Sequence, residues 1–393
     1  MPTYDVIIIG AGAAGLMCAI EAAKRQRQVL VLEHTKKAGK KILMSGGGRC
    51  NFTNYHIHPD HYLSHNPHFA KSALSRYTQW DFLALVEKHG IAYHEKTQGQ
   101  LFCDHKSSAI LNMLLSECQA AKVTLQLNTK TISIRQDTDH SFLINTTEHS
   151  YRAQSLVIAT GGLSIPTLGA SPFGYQIAQQ FGLKVWPTRA GLVPLTLQPQ
   201  DKVQLAPLAG IACKAWVTTG QQSFQEPILF THRGLSGPAI LQLSSYWSPG
   251  SDITINLIPD HELFEQLKRQ QIQQPQRTLK DILSTYLANR LVSQRLDPVD
   301  ATQPIATLSH QRLIAIVQQF QAWRIRPNGT EGYRTAEVTL GGVDCNAISS
   351  KTLQANKVAG LYFIGEVLDV SGWLGGYNFQ WAWSSGWAAG QYV

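Results

Sequence analysis

The sequence predicts an α/β fold on a parallel sheet that the chain enters twice, near each end, with inserted segments of other texture between. Three observations carry this. Asp5-Val6-Ile7-Ile8-Ile9 runs into Gly10-Ala11-Gly12-Ala13-Ala14-Gly15 and then into Leu16 to Arg25. The same texture returns late, as Leu361-Tyr362-Phe363-Ile364 followed by Gly365-Glu366. Between them, from about residue 191 to 333, short strands give way to a glutamine-rich helical stretch.

The opening unit comes first. An apolar run bounded by glycine is a strand buried on both faces. Leu16, Ala19, Ile20 and Ala23 recur at helical spacing. The G-x-G-x-x-G therefore lies between a strand and a helix, the context that gives it meaning. Gly10 permits the tight turn, Gly12 lets the backbone approach a pyrophosphate, and Gly15 lets helix and strand pack closely. The N–H groups of the first helical turn, at Ala13 and Ala14, face the phosphates. Val29-Leu30-Val31-Leu32 is the second strand, and Glu33 ends it, 18 residues past Gly15. A carboxylate there accepts hydrogen bonds from the ribose of an adenosine and repels a 2′-phosphate. These residues specify an adenine dinucleotide.

The whole chain sets bounds on this reading. The formal net charge of +8 favours anionic ligands. However, Lys and Arg are scattered, and the densest groups, Lys36-Lys37 and Lys40-Lys41, sit beside the fingerprint. A mildly basic enzyme is preferred to a nucleic-acid binder. The six cysteines show neither C-x-x-C nor paired spacing, which argues against zinc and against a disulfide framework. The first strand begins at Tyr4, which leaves no room for a signal peptide. With no apolar run long enough to span a bilayer, a cytoplasmic protein without a membrane partner is expected.

Asn54 to His68 holds His56, His58, His61, His65 and His68, five of the 14 histidines. A helical pair such as His61 and His65 could bind a metal, but nothing completes a ligand set. A polar loop broken by Pro59 and Pro67 is preferred, and no metal is expected. Phe69 to His89 reads as one or two amphipathic helices stopped by Gly90, and Ser107 to Ala121 as another. Val123–Leu127, Thr131–Arg135 and Ser141–Asn145 read as strands of a small hairpin layer. Leu156 to Ile158 is the next buried strand; it ends in Ala159-Thr160-Gly161 and leads to a helix from Tyr175 to Phe181.

Leu192–Leu197, Ala212–Thr219, Ile228–Thr231 and Asp252–Leu257 suggest an inserted small barrel or sandwich. Leu263 to Phe320 is helical. The expected division is 1–190 for the first part of the nucleotide domain, 191–260 for a β-barrel-like insert, 261–333 for a helical insert, and 334–393 for the second part of the nucleotide domain. After Val338-Thr339-Leu340-Gly341-Gly342-Val343, the strand ending in Gly365-Glu366 leads into Gly372-Trp373-Leu374-Gly375-Gly376-Tyr377-Asn378 and a helix from Phe379 to Gly390. A simple NAD domain needs no such distant return. A flavin domain does, because an acid there reaches the ribityl chain and the helix N-terminus points at the N1–C2=O edge of the ring. Hydrogen bonds to charge, about 1.5–3 kcal/mol each, should outweigh a helix dipole worth about 0.3–2 kcal/mol. The cofactor is therefore read as FAD.

These motifs resemble a known group. The fingerprint, S-G-G-G-R-C-N-x-T-N (Ser45 to Asn54), T-x-x-G-L-S-G-P-A (Thr231 to Ala239), V-T-x-G-G-V and G-E-V-L-D…G-G-Y-N-F-Q occur in that order. Together they are similar to the HI0933-like family of bacterial FAD-binding flavoproteins, over nearly the whole chain. The resemblance implies a discontinuous Rossmann-like FAD domain of glutathione-reductase type with an inserted small β-barrel and an inserted helical domain. It implies an NAD(P)/FAD-dependent oxidoreductase; some members are linked to reduction of conjugated ketones, a substrate class that the motifs do not carry over. It places FAD on Gly10, Gly12, Ala13, Ala14, Gly15 and Glu33; on Lys40, Lys41, Ser45, Gly46, Arg49, Cys50 and Asn51; on Thr131, Ala159, Thr160 and Gly161; and on Gly365, Glu366, Gly375, Gly376 and Asn378. One departure is Pro172-Phe173 within Gly169–Gly174, which stiffens that loop.

Flavin carries the redox chemistry, so the protein binds and tunes it. The loop after Glu33 offers only Cys50, which disfavours flavin–disulfide exchange unless Cys103 or another cysteine folds beside it. Tyr377 and His232 are the candidate proton donors, each set against a plain structural role. Trp373, Trp381, Trp383 and Trp387 are either pocket or core. The leading function is a reductase that takes hydride from NADH or NADPH to a small organic acceptor, such as an enone or ketone. The alternative is a flavoprotein whose inserted basic domains bind RNA or a protein partner, with FAD structural or sensory. FAD-dependent RNA modification lies between the two.

Overall fold

The computed structural model describes all 393 residues. They form two compact units, Met1–Arg189 with Val338–Val393, and Ala190–Glu337.

The first unit is built on a seven-stranded sheet. Thr124–Gln126, Val29–Leu32, Thr3–Ile9 and Ser150–Ile158 lie side by side and parallel. The far edge of Ser150–Ile158 is shared. Its first half pairs antiparallel with Phe142–Thr146, and its last residues pair parallel with Leu361–Phe363. Thr131–Gln136 completes a hairpin on Phe142–Thr146. The central strands are buried on both faces: Val6, Ile7, Ile8, Leu30, Val31, Val157 and Ile158 are all inaccessible to solvent. The expected hairpin layer is corrected at its first strand. Thr124–Gln126 is a parallel edge strand beside Val29–Leu32, because alternation fixes which face is buried but not the direction of the neighbour.

Two helices meet over this sheet. Ala13–Lys24 follows the fingerprint, and Tyr377–Gly390 closes the chain. They approach through glycine: a Cβ on Gly386 would lie 2.5 Å from the Ala14 carbonyl oxygen, and one on Gly390 2.6 Å from Glu21 Cβ. The tryptophans in and just before the closing helix divide between roles. Trp381 and Trp383 are core, donating from their indole nitrogens to the Gly365 and Phe52 carbonyls, and Trp383 stacks on Phe82. Trp387 stacks on Tyr77. Trp373 stacks on His61.

The histidine-rich loop is more ordered than expected. Pro59–His61 is a single 3-10 turn, and Tyr62–Leu63 pairs antiparallel with Ser371–Gly372. His61 and His65 are therefore not a helical pair, so the spacing that suggested shared ligation is absent.

The second unit carries a seven-stranded antiparallel sheet, in the order Trp323–Ile325, Ile253–Asn256, Ala212–Thr219, Gln222–Phe230, Gly234–Ser236, Leu195–Leu197 and Pro327–Thr330. Its two edge strands are consecutive in the chain, separated only by Arg326. The helices Leu263–Gln273, Leu279–Leu283, Asn289–Arg295, Pro298–Thr302 and His310–Gln321 thus interrupt a sheet that resumes after them. This unit has 13 Lys and Arg against 11 Asp and Glu, a net +2, whereas the first unit has 21 against 15, a net +6. The view of the insert as the basic part of the chain is corrected: most of the excess charge belongs to the nucleotide unit.

Candidate cofactor and active site

The fingerprint turn is tight by construction. Gly10 sits at φ +112°, and a Cβ there would lie 2.4 Å from the Ala159 carbonyl oxygen; one on Gly15 would lie 2.0 Å from the Gly10 oxygen. Gly12 differs: a Cβ there would meet nothing within 4 Å, so it faces open space. Gly12 is also the N-cap of the helix and supplies no side-chain cap. The N–H groups of the first turn, at Ala13 and Ala14, keep their orphan donors for a ligand. Glu33 is buried at the end of its strand and accepts from the backbone N–H of Ala11 (3.0 Å) and Thr35 (2.8 Å). Thr129 donates from its backbone to the Glu33 carbonyl (2.9 Å), which brings the segment ending at Thr131 beside the acid. The buried hydroxyls of Thr131 and Thr160 have no partner within the protein. An open glycine, uncapped N–H groups, a carboxylate and two orphan hydroxyls fit a dinucleotide.

The loop after Glu33 returns to this turn. Gly39 donates to the Ala11 carbonyl and opens the short helix Lys40–Met44. Lys41 Nζ donates to Ser164 Oγ and to Glu366 Oε2, each at 2.7 Å. Glu366 Oε1 accepts from the Thr339 N–H (3.0 Å) and from Ser164 Oγ (3.1 Å). Thr339 Oγ1 in turn accepts from the N–H groups of Leu163 and Ser164. Segments spread over more than 300 residues thus meet on one carboxylate, next to Gly161 and Gly162. Ser164 and Thr339 were not among the expected site residues. Thr339 was visible within V-T-x-G-G-V, but nothing local marks Ser164.

The last part of the cradle joins the glycine loop to the closing turn. Gly46, Gly47, Gly48 and Cys50 all have positive φ, and Arg49 is exposed between them. Ser45 donates its hydroxyl to the Ile42 carbonyl, and its own carbonyl accepts from Cys50 N. Oriented to satisfy its neighbours, the Asn51 amide accepts from the Gly376 N–H at 3.3 Å. Gly375 and Gly376 have φ +106° and +96°, and a Cβ on Gly376 would sit 2.3 Å from the Thr53 carbonyl oxygen. Asn378 spends its amide on Gly372 and Trp373, so it shapes the turn.

The candidate acids separate. Tyr377 is buried and donates its hydroxyl to the His56 carbonyl at 3.2 Å. His232 stands exposed in a turn of the second unit, beside Thr231, whose hydroxyl accepts from the backbone of Arg233 and Gly234.

Cys103 does fold beside Cys50. Asn51 pairs with Phe102, and Cys103 N donates to the Arg49 carbonyl. Both thiols are buried. Burial pushes Cys50 up to about 12 and Cys103 up to about 11. The thiolate is the nucleophile, and at pH 8 it is about one part in a thousand or less at such values. Iodoacetamide at pH 8 is expected to leave both unmodified in the folded protein and to label both after denaturation. Rapid native labelling of either, read by peptide mass, would restore the redox-pair reading.

A family model described as the HI0933-like protein Rossmann domain matches residues 4–392. The chain is 55% identical over 394 residues to a ribosomal RNA dihydrouridine synthase of Escherichia coli (strain K12), covering 100% of this chain and 98% of that protein. It is 28% identical over 403 residues to a 3-dehydro-bile acid delta(4,6)-reductase of Clostridium scindens, covering 98% and 97% respectively. Among solved structures, its fold is similar to the Mycobacterium smegmatis Sdh1 complex in the apo form, with a TM-score of 0.51 at 16% identity, over 99% of this chain and 68% of that one.

Proposed function

Because this chain belongs to the HI0933-like family, we propose that it is an FAD-dependent oxidoreductase that reduces the C5=C6 bond of a uracil in ribosomal RNA to dihydrouridine. NADH or NADPH is the transient electron donor in this reading. The observation that carries it is the 55% identity, end to end, to the Escherichia coli rRNA dihydrouridine synthase. The chemistry is coherent with the more distant relative as well. A uracil C5=C6 bond is conjugated to the C4 carbonyl, as the bond reduced in an enone is conjugated to its ketone. The expected acceptor of this site is thus a conjugated carbonyl, presented on RNA.

When bound, FAD supplies two-electron hydride transfer to such a bond. The chain's own residues bind and orient. Gly10, Gly12, Gly15 and the first helical turn would hold the pyrophosphate, and Glu33 would hold the adenosine ribose. Lys41 and Glu366 would hold the ribityl and phosphate region, and the Gly375-Gly376 turn would hold the ring. The inserted unit, in this reading, joins a barrel-like part at 191–260 to a helical part at 261–333 whose last strands, Trp323–Ile325 and Pro327–Thr330, return to the same sheet. The net +6 of the nucleotide unit supplies attraction for RNA phosphates that weakens as salt rises.

A narrower reading, reduction of a free conjugated ketone, is favoured only by the bile-acid relative. One experiment separates the two. Ribosomal RNA from cells lacking this protein is digested to nucleosides and analysed by mass spectrometry. The dihydrouridine signal is expected to vanish and to return with the gene. Unchanged rRNA dihydrouridine, with purified protein that turns over an enone, would sink the RNA reading.

A further inference from the structure

One titratable pair near the cradle is used by nothing described so far. Asp369 Oδ2 accepts from both the backbone N–H and the ring Nδ1 of His65, each at 2.8 Å. The carboxylate is buried, while the His65 side chain is 50% exposed. The imidazole also lies flat on Trp186, with centroids 3.8 Å apart and planes 7° apart. Lys184 Nζ stands 3.0 Å from the centre of the same indole. The ring is therefore fixed along one edge by Asp369 and across one face by Trp186. Nε2, on the opposite edge, makes no hydrogen bond.

This pair is attached to the cofactor cradle at every point. Asp369 lies three residues after Glu366, on the segment that leads to Gly375. Two residues on, Ser371 donates its hydroxyl to the carbonyl of Thr339, the residue whose N–H binds Glu366. His65 follows Tyr62–Leu63, the strand paired with Ser371–Gly372. Trp186 precedes Pro187, whose carbonyl oxygen would lie 2.3 Å from a Cβ on Gly341, two residues after Thr339. A half-exposed imidazole oriented by a buried carboxylate is the arrangement that prepares a histidine for proton transfer.

We propose that His65, oriented by Asp369, is the proton donor of the reduction. The proposal rests on the reading of this chain as a reductase of a conjugated C=C bond. The carbon β to the carbonyl, C6 of a uracil, receives a hydride drawn from reduced FAD, which NADH or NADPH has loaded. The π pair of C5=C6 shifts toward C4=O as an enolate. C5 then forms its new C–H bond with the proton on Nε2 of the His65 imidazolium. The N–H bond breaks, its electron pair stays on nitrogen, and the imidazole regains a proton from water. The substrate gains one hydride and one proton. Asp369 is a positioning residue, and Trp186 holds the ring plane.

The test uses the holoenzyme, NADPH and rRNA that lacks dihydrouridine, with His65→Gln and Asp369→Asn. Stopped-flow absorbance follows flavin reduction by NADPH and flavin reoxidation by RNA separately. Reduction is expected to stay within about twofold of wild type, whereas reoxidation should slow by about 10²–10⁴, the usual contribution of a general acid. Filter binding should show unchanged RNA affinity, and free imidazole should restore part of the rate in His65→Ala. Unaltered reoxidation in folded variants overturns the proposal, as does a parallel fall in both half-reactions with loss of FAD. If wild-type flavin is not reoxidised by RNA but is by an enone, the uracil reading fails and the same variants are judged with the enone. If neither acceptor works, the parent reading and this one fall together.

Discussion

Gly10→Ala should give a protein that is colourless and poorly folded, whereas Gly12→Ala, two residues away, should fold normally and still lose FAD. The difference is written in the backbone. At Gly10 an added methyl meets two penalties at once. The conformation, φ +112°, is one that L side chains rarely adopt, at a cost of about 1–3 kcal/mol. The methyl would also lie 2.4 Å from the Ala159 carbonyl oxygen and 2.9 Å from its carbon, and overpacking against backbone costs typically about 1–3 kcal/mol more. The total, about 2–6 kcal/mol, is a large part of the roughly 5–15 kcal/mol that holds a domain together. At Gly12 φ is −86° and nothing lies within 4 Å, so neither penalty applies. What Gly12→Ala changes is the surface offered to a pyrophosphate. Its expected mark is at least about a tenfold weaker FAD affinity, which is ~1.4 kcal/mol, at an unchanged melting temperature. Thermal unfolding and the flavin-to-protein absorbance ratio read the two effects separately. A Gly12→Ala protein that keeps FAD at wild-type affinity would remove the pyrophosphate from this turn.

What could be read from the sequence follows the reach of each signal. Strand, glycine turn, helix and acid are contiguous from Asp5 to Glu33, so their order alone defines the cradle. The second strand and turn, Leu361 to Asn378, repeat that local grammar, which is why the sequence alone points to a site with two ends. Side-chain partnerships at long range were not. Lys41 and Glu366 are 325 residues apart, and His65 and Asp369 are 304 apart; neither spacing obeys any period. The histidine loop shows the limit most clearly. Its five imidazoles read as a polar surface loop rather than as metal ligands, and His56, His58, His65 and His68 are exposed. What the loop conceals is the pairing of Tyr62–Leu63 with Ser371–Gly372, because a two-residue strand leaves almost no trace in hydropathy. Cys50 is an intermediate case. Its neighbour depends on the register of Asn51–Asn54 with Gln100–Cys103, and only the fold could supply that. Tyr377 stands out in the sequence by its place beside the turn. Its hydroxyl, held by the His56 carbonyl, ties the turn to the histidine loop.

A large effect on cofactor binding is expected at Glu366. Glu366→Gln preserves shape and removes one charge, so it isolates what the carboxylate does. The carboxylate now gathers Lys41 Nζ, Ser164 Oγ and the Thr339 N–H. An amide has one acceptor atom where the carboxylate has two, and its NH₂ would face the lysine or the backbone donor. Losing one partner of a fully buried ion pair costs about 3–5 kcal/mol. Here the side chains of Lys41 and Glu366 are 33% and 20% exposed, and solvent screening lowers the expected cost to about 1–2 kcal/mol. FAD affinity should suffer in addition, because a hydrogen bond to a charged acceptor contributes about 1.5–3 kcal/mol, a factor of roughly 10–150 in Kd. Lys41→Met provides the matching half: it should lower stability by a similar amount, because Glu366 then keeps its charge without the lysine. The double variant should be less destabilised than the sum of the two, since the pair is lost only once. Calorimetric titration of the apoprotein with FAD, with melting temperatures for all four proteins, reads both quantities. Strict additivity of the two substitutions would mean that Lys41 and Glu366 act independently, and the convergence of three chain segments on this carboxylate would then have no energetic role in building the site.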